Sequence, residues 1–373
     1  MINLPPLPEQ SKTQLSSFRL NQIYFYLTEG CNLACRHCWL APQLEKNGTR
    51  YPVLPLTLFE KAIQEAKPLG LSSVKLTGGE PLLHPQFTRL LEILRQEDLA
   101  LTIETNGVLC TPEIAKEIAK SKNRFVSVSL DGSEAESHDR MRGVKGAFKK
   151  TEQAIRNLAA AGISPQVIMT ITRFNKDQIE DIISLAKKLG ASSVKFNIVQ
   201  PTARGKAFGE SPEALNIAEY ISLGQYIEMT LALQAGIELF YDYPLAFRPL
   251  SRLASKGDRI CGILGIIGVI PSGHYALCGI GKHVPDLVFG KIGTDPLEKI
   301  WQENEILNAL REGLPKKLNG ICQQCLMRSR CLGACIAQNY YNDGNLWGPY
   351  WFCDEARKAG LFPLTRLKNP LMP

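Results

Sequence analysis

No apolar run in the 373-residue chain approaches the roughly 20 residues that a helix needs to cross a bilayer. The longest candidate, GILGIIGVI at 262–270, is too short and has the character of a buried strand. The first residues, MINLPPLPEQSK, lack the basic start and apolar centre of a signal peptide. From these absences a cytoplasmic protein, off the membrane, is expected. Basic clusters interleaved with aromatics are also missing. The formal charge of +7 is modest and spread along the chain, so nucleic acid is not an expected partner. At 45% hydrophobic residues, the chain suits one large α/β domain with a smaller appendage, or two domains.

Cysteine is what the chain has in excess, with eleven in all. The cytoplasm keeps thiols reduced, so these point to metal or cluster ligation rather than disulfides. Three of them, Cys31, Cys35 and Cys38, fall within EGCNLACRHCW at a C-x3-C-x2-C spacing.

From about residue 20 to 200, short β-rich runs alternate with amphipathic helical stretches. The runs are IYFYLT (23–28), SVKLT (73–77), LTIET (101–105), FVSVSL (125–130), QVIMTIT (166–172) and SVKFNIV (193–199). Helical patterns such as 56–70, 112–121, 147–162 and 176–190 lie between them, several ending in glycine. Such alternation predicts a parallel sheet covered by helices: a partial, TIM-like (β/α)6 barrel, two units short of closure. LGLSSVKLTGGEP and LGASSVKFNIVQP echo one another, as duplicated units or as shared turn chemistry. After about residue 205 the rhythm gives way to helices at 213–236 and 296–312. The domain boundary is expected in the 240s or 250s. The expected division is an extension at 1–20, the barrel at 21–210, a helical bridge at 211–254, a cysteine-rich domain at 255–355 and a tail at 356–373.

The three-cysteine loop follows the first strand, at the carboxyl end of the sheet where active sites of parallel α/β folds collect. A structural zinc would need a fourth ligand, and His37 sits too cramped between two of the cysteines to supply it easily. A [4Fe–4S] cluster with one open iron uses three thiolates naturally. CNLACRHC resembles the signature of the radical S-adenosylmethionine (radical SAM) enzymes. His37 stands where that signature usually has an aromatic, with Trp39 directly after. In that family the open iron holds the methionine amino and carboxylate groups. An electron from the cluster then releases a 5′-deoxyadenosyl radical, which abstracts hydrogen. TGGEP resembles the family's GGE motif, in which Gly78, Gly79 and Glu80 receive the amino group of S-adenosylmethionine. The resemblance further assigns Ser129, of SLDG, to the ribose and Arg142, of DRMRG, to the carboxylate. ETNG (104–107), Asn175 and Arg204 lie at other strand ends where the family contacts this cofactor.

Gly273 and Cys278 form G-x4-C, and Cys322 to Cys335 form C-x2-C-x5-C-x3-C, with Cys353 beyond. With Cys261, this resembles the SPASM extension of peptide-modifying radical SAM enzymes, which holds two auxiliary iron–sulfur clusters. By that resemblance Cys322, Cys325, Cys331 and Cys353 hold the second cluster, and Cys261, Cys278 and Cys335 the first. Residues 240–260 contain no cysteine, so the first cluster is expected to have an open iron, a non-cysteine ligand or a smaller core. Cys110 lies outside both patterns and is expected to be a buried thiol.

The family resemblance implies an enzyme that modifies a ribosomally made precursor peptide, by side-chain cross-linking or by backbone splicing that excises tyramine. Tetrapyrrole side-chain modification is the alternative. Sulfatase maturation fits less well, since Gly279 stands where those members carry an Asp base. Only about twenty residues precede the first strand, too few for a leader-binding winged helix. A separate leader-binding protein (a RiPP recognition element) and an electron donor such as flavodoxin or ferredoxin are therefore the expected partners.

Overall fold

The computed structural model describes residues 18–45, 51–254 and 261–368. Most of the expected N-terminal extension, residues 1–17, lies outside them. The six expected strands form: β1 (Gln22–Tyr26), β4 (Ser73–Thr77), β5 (Ala100–Thr105), β6 (Arg124–Ser129), β7 (Gln166–Thr170) and β8 (Ser193–Asn197). All pair in parallel, in chain order. Their pleat sorts the side chains. Ile23 and Phe25 of β1 are wholly buried with Val74 and Leu76 of β4 in one core, where helix Leu56–Ala66 contributes Phe59, Ala62 and Ile63. Tyr24 and Tyr26 therefore point to the opposite face.

Two more parallel strands extend this six-stranded core at its edges. β9 (Glu238–Tyr241) pairs with β8, and β10 (Ile266–Val269) pairs with β1 on the other side. β11 (His274–Ala276) and β12 (Val288–Lys291) then continue it antiparallel. The sheet has ten strands, in the order β12-β11-β10-β1-β4-β5-β6-β7-β8-β9. ELFY of β9 is only four residues long and follows helical sequence, so its periodicity is hard to see. GILGIIGVI does supply a buried strand, but one hydrogen-bonded to the barrel rather than confined to a separate domain. The expected helix 213–236 runs as Ile217–Tyr226, a π-helical turn Ile227–Leu231 and a last turn Ala232–Gln234. The expected helix 296–312 breaks at Asn304, whose side chain caps the second half by accepting from the Ile306 and Leu307 amides. No helix among the described residues is long and apolar enough to cross a membrane.

Candidate active site

β1 ends at Tyr26, and the chain turns at once into the three-cysteine loop. Two short strands, β2 (Gly30–Cys31) and β3 (Gln43–Leu44), pair in parallel and tie its base together. The Gln43 amide donates to the Glu29 carbonyl at 2.8 Å, and the Glu45 amide donates to the Cys31 carbonyl at 2.7 Å. The far side rests on the end of helix Ala135–Arg142. Its Met141 and Arg142 carbonyls, left over at a helix terminus, accept the Arg36 and Ala34 amides at 3.0 Å each. Gly143 makes this approach possible. Its φ is +71°, and a Cβ there would stand 2.6 Å from the Ala34 carbonyl oxygen.

Cys31 and Cys35 are buried, and Cys38 is half-buried. The Leu33 amide donates to Cys31 Sγ at 3.4 Å, Asn106 Nδ2 approaches the same sulfur at 3.8 Å, and Arg142 Nη1 donates to Cys35 Sγ at 3.6 Å. Burial pushes Cys31 well above its ordinary range, with Glu80 adding to the rise, and raises Cys35 against the partial opposition of Arg142. Such thiols keep their protons until a positively charged group arrives to take the thiolates. Three sulfurs on one loop, two of them already met by donors, fit an iron–sulfur cluster.

The glycine turn of TGGEP packs directly against this loop. The Gly79 amide donates to the Thr28 carbonyl at 2.8 Å and the Glu80 amide to the Gly30 carbonyl at 2.9 Å. A Cβ at Gly79 would stand 2.0 Å from the Gly30 oxygen, and Gly78 takes φ +131°. Glu80 is almost wholly buried, and its carboxylate is occupied from inside the protein. It accepts from Thr105 Oγ1 at 2.6 Å, the Asn106 amide at 2.9 Å and the Leu82 amide at 3.2 Å. Burial raises it to about 7, against the pull of those three donors. Glu80 thus ties the glycine turn to ETNG. Asn106 extends the tie to the cysteine loop, with Nδ2 donating to Asn32 Oδ1 at 2.8 Å.

Arg142 lies beside the loop but is not free. Its Nε stands 2.7 Å from Oδ2 of the fully buried Asp131, in addition to the Cys35 contact. Burial tends to raise Asp131, but Arg142, then His37 and His138, outweigh it and hold the carboxyl below the usual range. Asn175 is equally committed, accepting from Thr172 and donating to the Asp131 and Thr170 carbonyls. Ser129 ends β6, half-buried. Arg204 opens the short helix Arg204–Gly209 near His37, with its Nε and Nη2 buried and taking no hydrogen bond in the structure. Asp131, Asn32 and Asn106 are the residues the sequence reading did not single out. Their only signals were the D of SLDG, the N of ETNG and the N that follows Cys31 in CNLACRHC.

His138 completes the Asp131 site, its Nδ1 accepting from the Asp131 amide at 3.1 Å. That bond requires a neutral ring, and burial, helped by Arg142, lowers the imidazole to about 4. The unfolded ring titrates near 6.5, so this contribution is present in full above that pH and is lost as pH falls through 4. It amounts to roughly 3 kcal/mol. Urea unfolding at pH 7 and pH 4.5 is expected to show the difference, and His138→Gln to shrink it. An unchanged difference in the variant would refute the assignment.

The seven C-terminal cysteines gather in two sets. Cys322, Cys325, Cys331 and Cys353 line one cavity of about 340 Å³ with Tyr350, Phe362 and Ile321. Burial raises Cys353 first, and the charges of the other three raise it further. In the second set Cys335 is raised by burial and then by Cys261 and Cys278. Among the described residues no three Cys, His, Asp or Glu converge as a single ion requires. The four-thiol cavity has instead the donor set and apolar lining that suit a cluster. Cys110 lies apart, buried in the main core.

The second set meets the barrel at Tyr26. Cys278 lies over Gly268 of β10, the strand paired with β1, where a Cβ would stand 2.7 Å from the Cys278 Cα. The Tyr26 ring, edge-on to Trp39 at 6.4 Å, fills the space beside Gly279. A Cβ at 279 would stand 2.3 Å from that ring, so no side chain, acidic or otherwise, fits there. Tyr26 and Gly279 line a cleft of about 260 Å³ with Gly78, Gly79, Glu29 and Lys282.

A parallel sheet with a thiolate loop at its carboxyl end, backed by two further thiol sets, defines a cluster-dependent α/β enzyme. Residues 25–188 match the family model of the Radical SAM superfamily, and residues 261–326 that of an iron–sulfur cluster-binding domain, SPASM. The mycofactocin maturase MftC of Mycobacterium ulcerans is 31% identical over 329 residues, covering 87% of this chain and 85% of that protein. The AdoMet-dependent heme synthase of Methanosarcina barkeri is 31% identical over 343 residues, covering 87% and 93%. Among solved structures, Streptococcus suis SuiB bound to precursor peptide SuiA superposes with a TM-score of 0.72 at 17% identity, over 92% of this chain and 78% of that one. The chain belongs to the radical SAM superfamily and carries a SPASM domain. Its cofactors are S-adenosylmethionine, a [4Fe–4S] cluster and auxiliary iron–sulfur clusters.

Proposed function

We propose that this enzyme modifies a ribosomally made precursor peptide. The observation that carries the reading is the pairing of β10 with β1. It sets Cys278 and Gly279 against Tyr26, so the cysteine-rich domain borders the glycine turn and the cysteine loop across one cleft. Cys31, Cys35 and Cys38 would hold the barrel cluster, Cys261, Cys278 and Cys335 the first auxiliary cluster, and Cys322, Cys325, Cys331 and Cys353 the second. When bound, the barrel cluster supplies reductive cleavage of S-adenosylmethionine and hydrogen abstraction.

The chain's own residues prepare that chemistry. Gly78 and Gly79 let the backbone approach the methionine amine, and Glu80 holds their turn in place from behind. Ser129 serves the ribose. With Arg142 committed to Asp131 and Cys35, the unpartnered Arg204 is the better guanidinium for the methionine carboxylate. Gly279 leaves no base beside Cys278, which favours cross-linking or splicing over sulfatase-type oxidation. A separate leader-binding protein and a cytoplasmic electron donor complete the system.

Co-expression with candidate precursor peptides, followed by mass spectrometry, tests the reading. A loss of two hydrogens marks a cross-link, and a loss of a tyramine unit marks splicing. The likeness to a heme synthase makes tetrapyrrole modification the competing outcome. Unchanged peptides beside an altered tetrapyrrole would establish it.

A further inference from the structure

Two segments of the cysteine-rich half start beside Cys278 and Cys335 and end against the barrel. Helix Ile336–Asp343 has Cys335 as its N-cap. Gln338 and Tyr341, three residues apart, share one face of that helix. Gln338 Nε2 donates to Thr202 Oγ1 at 3.3 Å, and Tyr341 Oη accepts from the Ala203 amide at 3.3 Å. The short turn Gly279–Lys282 follows Cys278, and His283 after it reaches the cysteine loop. His283 Nε2 stands 3.0 Å from the Trp39 carbonyl, which can only accept, so this nitrogen carries the proton. The His283 ring lies edge-on to Tyr341, with centroids 6.1 Å apart.

Ala203 is the strained point. Its φ of +50° and ψ of −123° fall where a residue with a Cβ is rarely found. Such a conformation persists only where its surroundings hold it. Here Tyr341 takes the Ala203 amide, and Gln338 meets the hydroxyl of the residue before. The turn aims Arg204, whose buried Nε and Nη2 take no hydrogen bond. Gly205 brings this turn close to the cysteine loop. A Cβ there would stand 2.2 Å from the Gln200 carbonyl oxygen and 3.0 Å from that of His37.

We propose that Tyr341 is a positioning residue for S-adenosylmethionine binding. It fixes the Ala203 turn and, through it, the guanidinium of Arg204, so that the cysteine-rich half completes the cofactor site in the barrel. The proposal rests on the assignment of Arg204 to the methionine carboxylate. Tyr341 itself is half-buried, and its helix is anchored by the buried Ile336, Ala337 and Tyr340. Removing the one hydroxyl oxygen therefore leaves the packing in place.

The test is anaerobic equilibrium binding to the reconstituted full-length enzyme, with two probes, S-adenosylmethionine and its decarboxylated analogue. Tyr341→Phe is expected to raise the Kd for S-adenosylmethionine about fivefold or more, as the loss of one hydrogen bond to a buried amide implies. Its iron content and thermal unfolding should match the parent. The Kd for the analogue should be the same in both proteins, because the aim of Arg204 matters only to a carboxylate. Arg204→Ala should weaken S-adenosylmethionine further, and adding Tyr341→Phe to it should change the Kd no more, since the two residues act in series. An unchanged Kd in Tyr341→Phe, with Arg204→Ala weakened, would overturn the proposal alone. Equal weakening toward both probes would make Tyr341 a general support of the fold and overturn it too. Parental affinity in Arg204→Ala would refute the carboxylate assignment and, with it, the proposal.

Discussion

Changing Cys31, Cys35 and Cys38 together to alanine is expected to lower iron by about four per chain, from about twelve when all three clusters are [4Fe–4S], and to abolish 5′-deoxyadenosine formation. The loop's backbone should survive the change. Its base is held by the β2–β3 pairing and its far side by the Met141 and Arg142 carbonyls, none of which involves sulfur. The two C-terminal thiol sets are built by separate elements and should keep their iron. Iron analysis and chromatographic assay of dithionite-reduced protein with S-adenosylmethionine check both halves of the result. Residual 5′-deoxyadenosine in the triple variant would place catalysis elsewhere.

Asp131→Asn is the second large effect. The substitution keeps shape but removes the charge that faces Arg142 Nε at 2.7 Å, leaving a guanidinium buried beside His37 and Cys35. Stranding one member of a buried ion pair costs about 3–5 kcal/mol. The loss should be visible as a large fall in the urea midpoint at pH 7. It should extend to iron loading, because Arg142 also donates to Cys35 Sγ. A stability change below about 1 kcal/mol would show that the pair contributes little, as exposed pairs do.

The six central strands were legible because they are short β-rich runs alternating with amphipathic helices, several of them ended by glycine, a pattern that needs no tertiary information. The cysteine positions were legible for the same reason. What was not legible depends on partners distant in the chain. Nothing in SLDG distinguishes a ligand-binding Asp from one spent on an arginine eleven residues later. Glu80 reads as a ligand beside two glycines, yet Thr105 and the Asn106 and Leu82 amides occupy its carboxylate. Gly279 reads only as a missing base. Tyr26, more than two hundred and fifty residues away, explains why nothing larger fits. β9 escaped because four residues give alternation too little length, and the pairing of β10 with β1 escaped because it requires the chain to return across the whole sheet.

That return makes the protein one mechanical unit. The pairs Gln22 with Ile266 through Phe25 with Val269 run the hydrogen-bond ladder unbroken from the barrel into the cysteine-rich half. A hinge between the halves would have to break this ladder and bare an edge of β1, a surface that invites aggregation. The spacing between the cysteine loop and Cys278 is tied to the register of these two strands. Chimeras that exchange the cysteine-rich half between relatives would need a β1 edge matched to the incoming strand, however well the cysteines align.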